Sequence, residues 1–342
     1  MWRLNPSHFG LLSVWNQKDS IWYIAIASQG YTYSAVSASR VNFFPLYPLL
    51  VRLFQPLAAL IDPRDSYMLS GMAVSWVTFA GACVLLYRLV EDRFGARTAL
   101  GTILLLAAFP FGFYYGATYT ESLYLLLAVL AFLAIERQHW WLAGIAALLV
   151  SAERPPGALI GVCVVLAYAL DWWKTRHPLR LDVLALALTP LGLFAYALFC
   201  WVEYGNPLAY ITTSRAGWGG GHLQVGGLIM AGSNLLHFGQ NPIFTLYVVF
   251  FMVMLVLVAP VYRLLGPVYA LFVFASIVAP ILDFSMLQGL GRYESVAFPA
   301  FIVVAYALRR GTIQAILQVA MSGIGLYLMY TFAVDFLRFG WT

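Results

Sequence analysis

Asp19 stands at the start of the segment S-I-W-Y-I-A-I-A, in a chain in which only 10% of the residues are charged. A helix that begins here places five residues on one face: Asp19, Trp22, Tyr23, Ile26 and Ala27. The acid can therefore serve as the N-cap of an amphipathic helix. A carboxylate rimmed by aromatic side chains and partly shielded from water also suits a general base that takes a proton from a hydroxyl group. The residues alone leave both interpretations open.

Glu121 is the second acid of interest, and it precedes the apolar run L-Y-L-L-L-A-V-L. Thr118 and Glu121 have the spacing of a capping box, in which a threonine and a glutamate satisfy the first amides of a helix. The local pattern therefore favours a structural role for Glu121 at a helix start.

Three arginines stand where a charge has no obvious structural duty. Arg154 precedes two prolines between apolar segments, so its guanidinium group must pair with an anion or with carbonyl groups. Glu153, the adjacent residue, can neutralise this charge. Arg292 lies just before a predicted span with Glu294 close by, and its alternative is to extend outward to the membrane surface. Arg40 opens a predicted interfacial helix, where lipid phosphates are an alternative partner. Guanidinium groups bind phosphate by bidentate, charge-assisted hydrogen bonds, so a cluster of them suits a phosphate leaving group.

The composition predicts the elements that must position these residues. Apolar residues make up 62% of the 342 and the mean hydropathy is +0.83, whereas soluble domains carry about a quarter charged residues. We therefore predict an all-α, polytopic transmembrane helical bundle. The stretch S-A-E-R-P-P-G at 151–157 predicts two half-length helices that meet within the membrane. About ten spans are predicted: 67–87, 98–117, 121–136, 140–152, 157–172, 183–202, 242–262, 267–283, 294–308 and 312–333.

The orientation is predicted from the short connections, whose arginines and lysine fall on one side of the membrane. By the positive-inside rule this side is cytoplasmic. The opposite, extracytoplasmic face then receives residues 1–66, a first loop with interfacial helices, while residues 67–342 form the bundle and include an extracytoplasmic loop at 203–241. Three prolines and an arginine interrupt residues 43–61, so we predict an interfacial helix there rather than a span.

No metal site or cofactor is predicted from the cysteines and histidines. Cys83, Cys163 and Cys200 lie in apolar runs, without a C-x-x-C motif or a histidine at metal-ligand spacing. We therefore expect chemistry that uses protein side chains alone.

Met1 to Val14 lacks the continuous apolar core of a signal peptide.

A series of motifs gives the chain a family resemblance. In chain order they are D-S-I-W-Y-I-A-I-A-S-Q-G-Y, N-F-F-P-L-Y-P-L-L, P-F-G-F-Y-Y-G-A-T-Y-T-E-S-L-Y, A-E-R-P-P-G, Y-G-N-P-L-A-Y with a following Trp218, and G-R-Y-E-S-V-A-F-P-A-F. In this order and spacing the chain resembles the mannosyltransferases of the PIG-V type, which act in glycosylphosphatidylinositol assembly. They belong to the GT-C class of membrane glycosyltransferases that use lipid-phosphate sugars. Relatives usually have a spanning helix before the acid, whereas Met1 to Val14 cannot cross a bilayer.

The resemblance implies a reaction and a set of site residues. The donor would be a polyprenyl-phosphate or dolichyl-phosphate sugar, and the acceptor a hydroxyl on a lipid or surface glycan, with inversion at the sugar. Asp19 would be the catalytic base, and the donor phosphate would be bound by Arg154, Arg292 and Arg40. Substrate contacts would come from Trp22, Tyr23, Glu121, Tyr47 and Trp218. The protein would lie in the cell membrane, or in the endoplasmic reticulum membrane of a eukaryote, with its active site on the extracytoplasmic face.

Two other classes of protein fit the composition. A secondary transporter or lipid flippase would place Arg154 in a midplane substrate site and would show inverted halves with paired broken helices. A noncatalytic membrane scaffold would lose nothing when Asp19 or Arg292 is replaced. The sequence shows no internal repeat, and the motif series favours the transferase.

Overall fold

The chain is helical, without strands, throughout the part that the computed structural model describes, residues 15–176, 178, 180–218, 233, 242–283 and 289–339. Short 3-10 helices occur at Arg40–Asn42, Gly112–Tyr115, Pro155–Gly157 and Leu181–Leu188. The α-helices α1 to α14 are, in chain order, Ser20–Gln29, Leu46–Ala59, Ser66–Phe94, Ala96–Ala107, Glu121–Glu136, Trp140–Ser151, Ala158–Thr175, Leu191–Tyr204, Ala209–Trp218, Pro242–Leu265, Pro267–Asp283, Leu290–Ser295, Phe298–Ala307 and Thr312–Phe339.

The lengths of the described helices support an integral membrane protein. Four segments are long and apolar enough to span a membrane: Ser66–Phe94, Pro155–Thr175, Thr245–Leu265 and Thr312–Val334. A fifth span is formed if Leu181–Leu188 and α8, which meet at 43°, are counted together. Most of the other predicted spans fall on shorter apolar helices. A helix of 12 residues such as α4 covers about 18 Å of a hydrocarbon core about 30 Å thick. The total of ten spans therefore stays a prediction.

Two predicted spans are shorter in the structure than the sequence indicated. The segment 98–117 is helical only as far as Ala107, because Pro110 lacks an amide donor and disfavours helical geometry in the residue before it. The segment predicted to begin at 294 begins at Phe298, after Val296 and Ala297 have interrupted the helix.

Helix α2 lies within the predicted interfacial segment 43–61 and has two apolar sides. Tyr47 and Val51 are fully buried, and the Tyr47 hydroxyl donates a hydrogen bond of 2.9 Å to the carbonyl of Gly71 in α3. On the other side, Leu53 is 66% exposed and Leu57 is 63% exposed. An exposed apolar stripe of this kind is typical of a helix that contacts acyl chains.

Helix α5 separates two polar ends of the bundle. At its C-terminal end the Arg93 guanidinium lies 3.8 Å from the Glu136 carboxylate, and Arg137 pairs with Asp92 at 2.9 Å. At its N-terminal end stands Glu121. Since α5 has 16 residues, the two ends are about 24 Å apart.

A break is present at 151–157, and its charged residues are buried. The prediction of two half-length helices is wrong for the second one, because the segment Pro155–Thr175 is long enough to span a membrane. Glu153 is 0% exposed and Arg154 is 8% exposed. Arg154 has an extended backbone, with φ −164° and ψ 156°, and Pro155–Gly157 then forms a single 3-10 turn that leads into α7. A Cβ atom on Gly157 would clash with the backbone carbonyl of Val150. Glycine is therefore needed for the close approach of this turn to α6.

We expect Gly157→Ala to lower the free energy of unfolding by about 1–3 kcal/mol, because the added methyl group meets backbone that cannot easily move. Gly323→Ala in α14 is the matched control, since no atom lies within 4 Å of its Cβ position. It should leave stability unchanged or raise it slightly. Thermal unfolding of the full chain in detergent compares the two. Equal midpoints would contradict the packing argument.

Candidate active site

Asp19 is joined to Arg292 by an ion pair. Its carboxylate Oδ2 accepts a hydrogen bond of 2.6 Å from Arg292 Nη1. Asp19 is the N-cap residue of α1, as predicted, but its side chain makes no capping hydrogen bond and pairs with Arg292 instead. The Asp19 side chain is 28% exposed and can be reached from outside the protein.

Glu121 is buried at the start of α5 and binds two guanidinium groups. Its Oε1 accepts hydrogen bonds of 2.6 Å from Arg292 Nε and 3.3 Å from Arg154 Nη1. The side chain is 0% exposed. The capping-box interpretation is wrong, because Thr120 occupies the N-cap position and no side chain caps this helix.

Arg154 lies in an aromatic pocket. Its guanidinium carbon is 3.9 Å from the ring centroid of Tyr124 and 5.6 Å from that of Tyr293. Glu153 forms no ion pair with Arg154, so the prediction that the adjacent acid neutralises this arginine is wrong. Glu121 pairs with Arg154 instead. Its Nε and Nη2 have no hydrogen-bond partner among the described residues. These buried N–H groups remain available to a ligand.

Arg292 points into the protein and links the two acids, so the interpretation that it extends outward is wrong. Its guanidinium carbon lies 4.6 Å from the ring centroid of Tyr119. Burial alone would lower its pKa, but the carboxylates of Glu121 and Asp19 outweigh this effect and raise the pKa well above its usual value. The guanidinium therefore stays charged.

We call Asp19, Glu121, Arg154 and Arg292 the ion network. The four residues come from the turn before α1, the start of α5, the break before α7 and the short helix α12. Two carboxylates and two guanidinium groups make its formal charge zero. Asp19 and two of the three arginines that the sequence singled out thus share one site, with Glu121 at its centre.

Some of the other predicted site residues pack around Tyr119 beside the ion network, and others do not reach it. Tyr23 makes edge contacts with Tyr119 and Tyr47, at centroid distances of 6.4 Å and 5.2 Å, and Trp22 stacks on Phe43. The structure does not bring Arg40 to the network. Its guanidinium binds the Gly30 carbonyl and the Gln29 side chain at the far end of α1. Trp218 ends α9, and its side chain lies outside the described part of the chain.

Two further acids are buried near the network residues in sequence. Glu153 and Glu294 are each 0% exposed, and the carboxylate of Glu294 has no hydrogen-bond partner among the described residues. Burial raises the pKa of both side chains well above the ordinary carboxyl value of 4.5, which for Glu153 prevails over the opposing effect of Arg154. Both carboxyl groups therefore ionise at a higher pH than an exposed glutamate does.

Sequence reasoning missed the aromatic residues that surround the arginines. Tyr119, Tyr124 and Tyr293 each present a ring to Arg154 or Arg292. All three occur in the motifs T-Y-T-E-S-L-Y and G-R-Y-E-S. The signal available in the sequence was a tyrosine within a few residues of an isolated charged residue in the same motif.

We expect the free energy of unfolding to fall as pH rises above about 4.5, because the unfolded chain ionises Glu294 while the folded chain keeps it protonated. Glu294→Gln should weaken this fall, since glutamine does not ionise. Thermal unfolding between pH 5 and pH 8 measures the effect. Glu203→Gln, at an exposed position, is the control and should follow the parent. Parallel pH dependence in Glu294→Gln and the parent would contradict the prediction.

The model of the family described as Mannosyltransferase (PIG-V) matches residues 4–152, which is just under half of the chain. The matched range contains Asp19 and Glu121 and ends two residues before Arg154. No curated protein and no solved structure gives a significant match. The family match confirms the resemblance for the motifs up to residue 152, whereas the later motifs lie beyond the matched range. It supports a PIG-V-type mannosyltransferase assignment and, with the apolar helices, a membrane glycosyltransferase.

Proposed function

We propose that the protein transfers a mannosyl group from a polyprenyl-phosphate or dolichyl-phosphate donor to a hydroxyl group on a lipid or glycan acceptor, with inversion at the sugar. The family match supports a sugar-phosphate-lipid donor and a lipid or glycan acceptor in general terms. The observation that carries the finer proposal is the ion network, in which one exposed acid and two arginines are connected through Glu121.

Arg154 is the residue that best suits the donor phosphate. Its Nε and Nη2 are buried without a partner among the described residues, and buried donors gain most from a charged acceptor. The ion network is neutral before the donor binds, so a phosphate adds a charge that these N–H groups offset. The same groups stabilise the negative charge that develops as the lipid phosphate leaves.

Asp19 is the base of this proposal. Arg292 occupies Oδ2, whereas Oδ1 accepts no hydrogen bond from the described residues, so the acceptor hydroxyl would approach Oδ1. Oδ1 takes the hydroxyl proton as the acceptor oxygen bonds to the anomeric carbon. The bond from that carbon to the phosphate oxygen breaks, and its electron pair leaves with the lipid phosphate. A single displacement of this kind inverts the anomeric centre, and one carboxylate suffices.

The site is proposed to open on the extracytoplasmic face. Arg93 and Arg137 lie at the opposite end of the bundle from Glu121, and the positive-inside rule assigns that arginine-bearing end to the cytoplasm. Residues 1–66 would then form a platform on the outer leaflet and residues 67–342 the bundle. A lipid-phosphate donor meets Asp19 there because its phosphate lies at the membrane surface.

We expect Asp19→Asn to lower kcat by about 10²- to 10⁴-fold with little change in donor KM, because the amide cannot accept the proton. The assay uses the full chain in lipid nanodiscs, radiolabelled polyprenyl-phosphate mannose, and total membrane lipid as the source of acceptor. Asp92→Asn is the control, since Asp92 also pairs with an arginine but at the other end of the bundle. Equal transfer by Asp19→Asn and the parent would show that Asp19 is not the base.

Arg154→Gln should raise the donor KM by about 10- to 100-fold, the loss of one or two hydrogen bonds to a charged group. Arg137→Gln removes an arginine from an exposed ion pair and is the matched control. Initial rates at varied donor concentration, with the mannose and the glucose donor in parallel, give the KM values. An unchanged donor KM would show that Arg154 does not bind the donor phosphate. A preference for the glucose donor would overturn the proposal that the transferred sugar is mannose.

A further inference from the structure

The residue before the proposed base has an unusual backbone conformation. Lys18 has φ +57°, in the left-handed region that residues other than glycine rarely adopt. Its side chain is exposed. Such a residue persists when its surroundings determine the backbone, and this commonly occurs at functional sites.

The hydroxyl of Tyr119 supplies that constraint. It accepts a hydrogen bond of 3.2 Å from the Asp19 amide and donates one of 3.3 Å to the carbonyl of Gln17. These are the peptide groups on the two sides of Lys18. The neighbouring amide of Thr118 also donates to the carbonyl of Trp15, at 3.0 Å. The segment before α5 therefore fixes the turn that carries Asp19.

The ring of Tyr119 acts on the partner of Asp19. The Arg292 guanidinium carbon lies 4.6 Å from the ring centroid, in a cation–π contact that is strongest where water is excluded. One side chain thus holds the acid by its hydroxyl and the arginine by its ring. The 2.6 Å bond between Arg292 and Asp19 closes this triangle.

We propose that Tyr119 is a positioning residue for the transfer reaction, which aims the Asp19 carboxylate through the Lys18 turn and through Arg292. The inference rests on the proposed function, in which Asp19 is the base. Tyr119 does not touch the donor or the acceptor in this scheme. It therefore acts on the rate of proton transfer, and donor binding at Arg154 is independent of its hydroxyl.

The hydroxyl and the ring can be tested separately. Tyr119→Phe removes both hydrogen bonds and keeps the ring, so kcat should fall by about 3- to 10-fold with donor KM unchanged. Tyr119→Leu also removes the cation–π contact and should lower kcat further. Tyr168→Phe is the matched control, because that hydroxyl donates to Asp182 far from the network.

Hydrogen–deuterium exchange of the full chain in nanodiscs gives a readout that does not depend on activity. In Tyr119→Phe, a peptide covering residues 15–23 should exchange about 3- to 10-fold faster at its protected amide, because Asp19 N–H has lost its acceptor. Peptides from α3 should exchange as in the parent, which shows that the fold is kept.

A second substitution tests the role of the Lys18 turn. Glycine adopts a positive φ without steric cost, so Lys18→Gly in the Tyr119→Phe background should restore part of the lost kcat. Thermal unfolding of Tyr119→Phe and of the double variant is measured beside kcat. Rescue of kcat with an unchanged unfolding midpoint is not expected from a merely structural role for Tyr119.

The outcomes separate this inference from the proposed function. Loss of transfer in Asp19→Asn together with full kcat in Tyr119→Phe, whether or not exchange accelerates, overturns the positioning role alone. Full transfer in Asp19→Asn overturns the proposed function, and the positioning role with it. Faster exchange, lower kcat and rescue by Lys18→Gly support the inference.

Discussion

The site depends on one buried charge, the carboxylate of Glu121. It is 0% exposed, and its Oε1 binds the guanidinium groups of Arg292 and Arg154. Removing a carboxylate from water costs several kcal/mol unless opposite charges and hydrogen bonds offset the loss. Glu121 therefore requires both arginines, which arrive from distant parts of the chain. Arg292 in turn brings Asp19 into the same network, so the burial of one acid fixes the relative positions of all four residues.

The ion network balances its own charges and still leaves groups for the proposed reaction. It is neutral without substrate, yet Arg154 keeps two buried N–H groups and Asp19 keeps one carboxylate oxygen without partners among the described residues. Groups held in place before the reaction need no reorganisation when charge develops, which is how preorganised sites accelerate transfer. In the proposed reaction the unused donors face the leaving phosphate and the unused acceptor faces the attacking hydroxyl. The distance between them is set by Glu121 and Arg292.

The scaffold provides this site by interrupting its helices. Asp19, Arg154 and the residues before α13 lie where the backbone leaves the helical path, and lipid permits such irregular backbone only where protein buries it. Gly157 meets this condition by close approach to α6, and a Cβ on Gly291 would likewise clash with the ring of Phe111. Small residues thus let the breaks pack tightly, and the rigid parts of the helices hold them at one end of the bundle.

The sequence by itself predicted the helical membrane class and the break before α7, and it singled out Asp19, Glu121, Arg154 and Arg292, because hydropathy and isolated charges are properties of local sequence. Local rules failed for the partners of these residues. Asp19 and Glu121 both fit capping patterns worth about 1 kcal/mol, but pairing a buried charge is worth more, so the tertiary structure assigned them to arginines instead. Only the fold could reveal the contacts of Tyr119, because they join Gln17, Asp19 and Arg292 across segments that no local pattern connects.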